Sequence, residues 1–463
     1  MSLTSSEQHR RMTETPIPRL VTLLAVPTTL SQLITIIYNT ADTYFVSKIS
    51  TSASAAVGVC FALQAVIQAV GFGIAMGCSS IVSRKLGAKQ DDEAEKFASS
   101  AVFGAIVLGL FLTAAGLSCL KPLMRLLGAT ETMLPYACDY ARIILIGAPV
   151  MCTSFVLNNI LKAEGEANLS MIGLCTGGLV NIALDPLFIF KLDMGIAGAA
   201  LATVVSQLTS LTILLALFRS GRSIIKLRVS SVSRKFADYF ELMHVGFPTI
   251  CRQGMASVAS ALLNHGAAYW GGSAADAAVA AVTISNKVYM LVRSMMIGIG
   301  QGFQPVAGYN YGAKIFSRVR KAFWFAVAAG TAVSTVFALA IGFNTTAIMR
   351  FFRNDADVVR IGSLALRFAA AVMPLMGYST FVNQLAQCLG FSLSASVLAS
   401  CRQGIFFIPI ILLLPRAIGL MGVQMAQPAA DLMTFLASVP FGIAFIRKRL
   451  SFPDGAPPAI KQK

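Results

Sequence analysis

Twelve apolar runs, each long enough to cross a lipid bilayer, follow one another along this 463-residue chain. A spanning helix needs about 20 apolar residues, because the hydrocarbon core is about 30 Å thick and each residue rises about 1.5 Å. The runs cover approximately 20–46, 54–82, 98–120, 137–161, 168–190 and 195–218, then 240–270, 276–306, 320–343, 361–386, 391–414 and 419–447. Hydrophobic residues make up 56% of the chain and charged ones only 12%, whereas soluble domains carry about 25% charge. No water-soluble fold of this length could hide that much apolar surface. Soluble enzymes and nucleic-acid binders are excluded, and the expected fold is an all-α polytopic membrane protein of twelve transmembrane helices.

The basic surplus, 37 Lys and Arg against 20 Asp and Glu, has a topological reading. With the N-terminus inside, inner segments carry 23 bases and outer loops 8, the asymmetry of the positive-inside rule. Both termini are therefore expected in the cytoplasm. The most polar stretch, Arg219 to Asp238, separates the first six runs from the last six. The expected organisation is a tail (1–19), a first lobe (20–218), an interlobe linker (219–239), a second lobe (240–447) and a second tail (448–463).

The two halves resemble each other. Ala25-Val26-Pro27-Thr28 returns as Gly246-Phe247-Pro248-Thr249, Gly87-Ala88-Lys89 as Gly312-Ala313-Lys314, and Gly195-Ile196-Ala197-Gly198 as Gly419-Leu420-Met421-Gly422. Because six spans are an even number, both copies enter the bilayer from the same side. The halves are then parallel repeats about an axis along the membrane normal, with a cavity between them, as in many secondary transporters.

No phosphate-binding G-x-x-x-x-G-K-[ST], H-E-x-x-H or G-x-S-x-G motif is present, and His9, His244 and His265 are too scattered to bind a metal together. The nine cysteines lack a C-x-x-C spacing, which argues against a zinc site or disulfide scaffold. Transport would therefore draw on an ion gradient or on the substrate's own.

An ionisable group within a span costs at least about 2.5 kcal/mol and needs a partner or a function. Asp42 lies about 30 Å along the first run and Asp185 about 25 Å along the fifth, with Asn181 one turn before it, and Thr203 is about 12 Å from the outer end of the sixth. Carboxylate, amide and hydroxyl oxygens at one depth suit a hard cation such as Na+, and a desolvated carboxylate also suits a proton. Taken singly, Asp42 also fits a solvated helix end, and Asp185, before Pro186, a helix cap. In the second lobe Arg252, Lys287 and Arg402 fall near the midplane with Asp431 the acid at that depth, either as structural pairs or as the wall of a substrate cavity. Tyr289, Met290, Phe381 and Met255 could supply its apolar side. Pro27, about four turns below Asp42, removes a backbone donor and is a candidate gating kink.

With Pro27 and Asp42, the Gly87-Ala88 loop, Asn181-Ile-Ala-Leu-Asp185-Pro186, Gly195-Ile-Ala-Gly198 and Gly300-Gln-Gly-Phe-Gln-Pro305-Val-Ala-Gly-Tyr-Asn-Tyr-Gly312 in this order, the chain resembles bacterial members of the multidrug and toxic compound extrusion (MATE) family over about residues 14–447. The resemblance implies two six-helix lobes and secondary antiport. Organic compounds would leave across the inner membrane against inward Na+ or H+ flow, with no other cofactor. Asp42, Asn181, Asp185 and Thr203 match the cation site of members that hold one in the first lobe. Other members place carboxylates in the seventh and tenth spans, whose interiors carry none here. The expected partners are amphipathic small molecules and the bilayer, with no nucleic acid, and the expected working unit is a monomer. A lipid-linked glycan flippase of similar fold would instead want a continuous basic cavity, and a membrane enzyme a catalytic constellation.

Overall fold

A computed structural model describes residues 4–49 and 51–455. Its backbone is helical, with no strand among the described residues. Six long helices form the first lobe: α1 Ile17–Ser47, α2 Thr51–Gly87, α3 Asp91–Ser118, α4 Leu134–Ala163, α5 Ala167–Lys191 and α6 Gly195–Arg219. Six more form the second: α7 Phe236–Trp270, α8 Ala275–Gly312, α9 Phe316–Phe343, α10 Ala356–Cys388, α11 Ser392–Ile418 and α12 Leu420–Arg449. Each apolar run becomes one helix. Eleven are apolar enough over their length to cross a bilayer on that ground alone. The other, α7, carries Asp238, Glu241, His244 and Arg252 in its first half. Most helices outrun their apolar cores because a span continues into the headgroup region, where polar residues carry it on. Short helices, Leu120–Leu126 and Thr345–Phe352, occupy the same place in each lobe.

The internal repeat governs how the lobes meet. The first helix of each lobe packs on the second helix of the other, α1 on α8 and α7 on α2. Glycines make both contacts possible. A methyl group at Gly73 would strike Ile250, and one at Gly298, its counterpart 225 residues on, would strike Thr29. Gly77 lies against the Leu242 carbonyl and Gly302 against the Ala25 backbone; Gly87 meets the Tyr309 carbonyl and Gly312 that of Arg84. Close backbone approach through small residues is how helices associate where lipid removes the hydrophobic drive. All three pairs fall in the half of the bundle nearest the termini. The interlobe hydrogen bonds lie there too: Thr28 donates to the Gly298 carbonyl at 2.7 Å and Ser80 to that of Gln387 at 2.9 Å. The lobes are thus joined at one end.

The first and last described residues, Thr4 and Gly455, sit at that closed end. Asp454 accepts from the Ser317 amide at 2.9 Å, and residues expected to be an N-terminal tail instead form a helix, Ser5–Glu14, started by a Thr4/Glu7 capping box. It straps the two lobes together. Ser5 donates to Asp91 at 2.6 Å and Arg11 pairs with Glu166 at 2.7 Å, both in the first lobe. Across the seam, Asn310 donates to the Met12 carbonyl at 3.1 Å and Arg318 to that of Thr15 at 2.6 Å. The Gln8 side chain reaches the backbone carbonyl of Glu164. The linker between Arg219 and Phe236 lies on the first lobe, where Ser233 N–H donates to Ser100 at 2.8 Å and Ser223 to the Glu164 carboxyl at 2.6 Å.

Two outcomes follow. Replacing Gly77 or Gly302 by Val overpacks the seam at a cost of about 1–3 kcal/mol, read as a lower melting temperature of the solubilised protein, whereas Gly58→Val, at a position with nothing within 4 Å, leaves it unchanged. Burial pushes the Glu164 carboxyl up to about 8. Its folded value lies above its unfolded one, so its contribution is complete below the unfolded value of about 4.3 and is lost as pH rises through about 8. Glu164→Gln should flatten the melting temperature between those limits, and an unchanged pH profile would refute this.

Candidate functional site

The far half of α1 makes no interlobe hydrogen bond among the described residues and instead lines a cavity of about 110 Å³ inside the first lobe. Tyr38 and Asp42 from α1, Gln64 from α2, Asn181 from α5, and Thr203 and Ser206 from α6 face it. The topology explains this shared depth: α1 and α5 run away from the closed end, and α6 returns toward it. Asn181 and Asp185, one turn apart, share a face of α5, and Asn181 Nδ2 donates to Asp185 Oδ1 at 3.3 Å. Asp185 sits behind Asn181, fully buried, and Asp42 is nearly so.

Polar groups in an apolar interior are nearly always hydrogen-bonded, and these carboxylates are exceptions. Asp42 Oδ1 and Asp185 Oδ2 are buried with no partner among the described residues. Thr203 spends its hydroxyl proton on the Ala199 carbonyl at 3.1 Å, leaving oxygen lone pairs toward the cavity. The donor set is therefore two carboxyls, an amide oxygen and a hydroxyl, all hard oxygens. Its chemistry suits Na+ or a proton. The geometry brings together the four residues selected in the sequence.

The cavity floor holds Lys162, one residue past the end of the 137–161 run. Lys162 is buried and donates to Gln301 of the second lobe at 2.9 Å. Beside the floor, Pro27 sits in the closed seam, buried, with Thr28 bonded to the second lobe and Ser31 donating to the Pro27 carbonyl at 2.8 Å.

In the second lobe, Arg402 Nε binds Asp431 Oδ1 at 2.7 Å, so the pair expected there exists. Tyr289 hydroxyl donates to Asp431 and accepts from Arg402, and Gln427 donates to Asp431 at 3.1 Å. Arg402 and Gln403 lie on a π-helical stretch, Cys401–Ile405, inside α11, a distortion that recurs at functional sites. Four expectations fail. Lys287 is exposed and outside the cluster, because two residues along a helix turn it about 200° from Tyr289. Phe381 is fully buried against Phe303, and Met290 is exposed. Tyr289 is a polar partner rather than an apolar wall. Arg293, one turn from Tyr289 and thus on its face, takes the place expected of Lys287, donating to Gln403 at 3.4 Å.

A family model named MatE matches residues 27–187 and 254–413, one stretch in each lobe. The chain belongs to the MatE family. The relatives of this MatE chain include the multidrug export protein MepA of Staphylococcus aureus (strain MSSA476), 23% identical over 448 residues that cover 96% of the chain and 97% of MepA. Among solved structures, an outward-facing multidrug resistance MATE family transporter of the MOP superfamily superposes with a TM-score of 0.90 at 24% identity, covering 96% of this chain and 99% of that one. A Pyrococcus furiosus MOP superfamily transporter, whose binding pocket is described as reversed in polarity, superposes at 0.87 with 24% identity over 96% of this chain and 99% of its own. These likenesses bear out the fold: twelve helices in two lobes of a multi-pass membrane protein.

Removing Asp431 while leaving Arg402 strands a buried cation, which costs about 3–5 kcal/mol. Asp431→Asn should therefore lower the melting temperature of the solubilised protein far more than Lys287→Gln. Equal effects would place Asp431 outside any structural pair.

Proposed function

We propose that this MatE chain is a secondary antiporter of the bacterial inner membrane that exports amphipathic organic compounds, driven by inward Na+ or H+ through Asp42, Asn181, Asp185 and Thr203. The observation that carries the reading is the pair of buried carboxyl oxygens, on Asp42 and Asp185, with no hydrogen-bond partner among the described residues. An unpaired buried charge is costly, and a cation taken up there removes that cost. Family membership and the relation to a protein named for multidrug export support the exported cargo. With both termini in the cytoplasm, as the charge asymmetry favours, the end at which the lobes are joined faces the cytoplasm. Release of substrate and entry of the coupling ion would then occur from the exterior.

The chemistry sets what coupling requires. An ion drives a conformational equilibrium only by binding one state more tightly than the other. Occupation of the site cancels negative charge between α1, α5 and α6 and lets their far halves approach. Pro27 lacks the amide that would bond the Leu23 carbonyl, so α1 bends there at low cost. Below Pro27 the helix is held by Gly302, and above it the helix carries Asp42. Neutralisation at Asp42 thereby moves the cavity half of α1 against a fixed base.

In proteoliposomes with imposed gradients, the wild type should expel a fluorescent cation such as ethidium when Na+ or H+ flows the other way. Asp42→Asn should fold and reach the membrane at wild-type level, yet lose driven export by at least about tenfold, the cost of a missing binding charge. Undiminished export by that variant would overturn the coupling assignment. Acceleration by only one gradient identifies the ion.

A further inference from the structure

The two lobes repeat one fold but bury opposite charges. The first sets two acids in its far half; the second sets Arg252, Arg293 and Arg402 near mid-depth, and the acid among them is Asp431. Asp431 is already committed, since Arg402, Tyr289 and Gln427 all bond it. Nothing remains for the other two guanidinium groups. Arg293 reaches only the Gln403 amide oxygen, at 3.4 Å. Arg252 Nε is buried with no partner, and Arg252 makes no hydrogen bond or ion pair among the described residues. The three cations stand close enough to repel one another.

Neutralisation is no way out, because a guanidinium keeps its proton inside proteins. Each group offers five N–H donors in a planar fork that fits two oxygens of one anionic group. A protein that keeps two such forks without an acidic partner at mid-membrane depth therefore holds a standing demand for an anion.

The forks are half-buried rather than sealed. Arg252 shares a face of α7 with Met255, three residues on, and so looks toward α11 in the second lobe. Met255 packs on Gly404 of the π-helical stretch, so an adaptable thioether lies beside the charged groups.

We propose that Arg252 and Arg293, braced by the Arg402–Asp431–Tyr289 cluster, form a receiving site for the carboxylate of an amphipathic organic anion or zwitterion. The proposal rests on the export reading for its physiological sense and names a substrate class for it. The described polarity of the Pyrococcus furiosus pocket is a property of that protein and carries none of this argument.

The test is equilibrium binding to the full chain in phosphatidylcholine nanodiscs, followed by fluorescence anisotropy without any gradient, with carboxyfluorescein as anion and ethidium as cation. Carboxyfluorescein should bind the wild type. Arg252→Gln and Arg293→Gln should each weaken it at least about tenfold, Arg252→Lys should restore part of the loss, and ethidium should bind all four proteins alike. No anion binding by the wild type would overturn the site, as would equal loss of both dyes with a lowered melting temperature, which would make the arginines structural. Nanodiscs containing phosphatidylglycerol provide the remaining arm: abolition of dye binding there would assign the forks to a lipid phosphate and overturn the substrate claim, whereas retained binding supports it. Because no gradient is applied, coupling through Asp42 can fail while this site stands, and the reverse.

Discussion

Backbone contact at six glycines sets the architecture. Gly73 and Gly77 in α2 let α7 approach to the distance of main-chain atoms, Gly298 and Gly302 in α8 do the same for α1, and Gly87 and Gly312 bring α2 and α8 together. These contacts occur in the half nearest the termini, so they close that end and leave the other end without a comparable clasp. The strap of Ser5–Glu14 lies over the same end and bonds both lobes. Pseudo-symmetry then makes one solution serve twice, with each glycine returning 225 residues later against the repeat of its first partner. A seam of this kind relies on shape more than on polar bonds. Its separation would expose few unsatisfied groups, as a reversible gate requires.

Sharing a backbone did not oblige the lobes to share a chemistry. In the first, hydroxyl, amide and carboxyl oxygens gather at a cavity, and one oxygen of each carboxyl has no partner among the described residues. In the second, a tyrosine, an aspartate and an arginine satisfy one another and leave two guanidinium groups over. In the proposed cycle these opposite demands are filled at different places, a small cation behind α1 and a cargo group at the second-lobe arginines. Neither ligand then competes with the other for atoms. Their coupling would pass through the position of α1, which belongs to the first site and packs on the α8 helix that carries Arg293.

The fold was legible because length and hydropathy decide a membrane helix almost alone, and the twelve runs became twelve helices. The first-lobe constellation was legible for a related reason: depth follows from counting residues along a span, and Asp42, Asn181, Asp185 and Thr203 agree in depth. Depth does not supply rotation. Lys287 lay at the right height on the wrong face, and Arg293, which shares a face with Tyr289 four residues earlier, was missed; the i, i+4 rule contained the signal. The strap was missed because a ten-residue helix adds too few residues to stand out in hydropathy, although Thr4 and Glu7 spell its cap. Lys162 fell one residue beyond the 137–161 run, and only the lobe contact reveals Gln301 as its partner.

Where α1 can bend is decided by what holds it. From Ile17 to Thr29 it rests on Gly302 and Gly298, and the Thr28 hydroxyl ties it to α8. From Ser31 onward it borders the cavity, and by Asn39 and Thr40 its surface is exposed. Pro27 falls at the upper edge of the held part, where one backbone hydrogen bond is already missing. A proline deeper in the seam would bend a segment that cannot move, and one near Asp42 would move too little of the helix to alter the cavity. At Pro27 the lever is the whole cavity half of α1, about 20 Å from the proline to Asp42 at 1.5 Å per residue. A small angular change there becomes a displacement of several ångströms at the carboxylate.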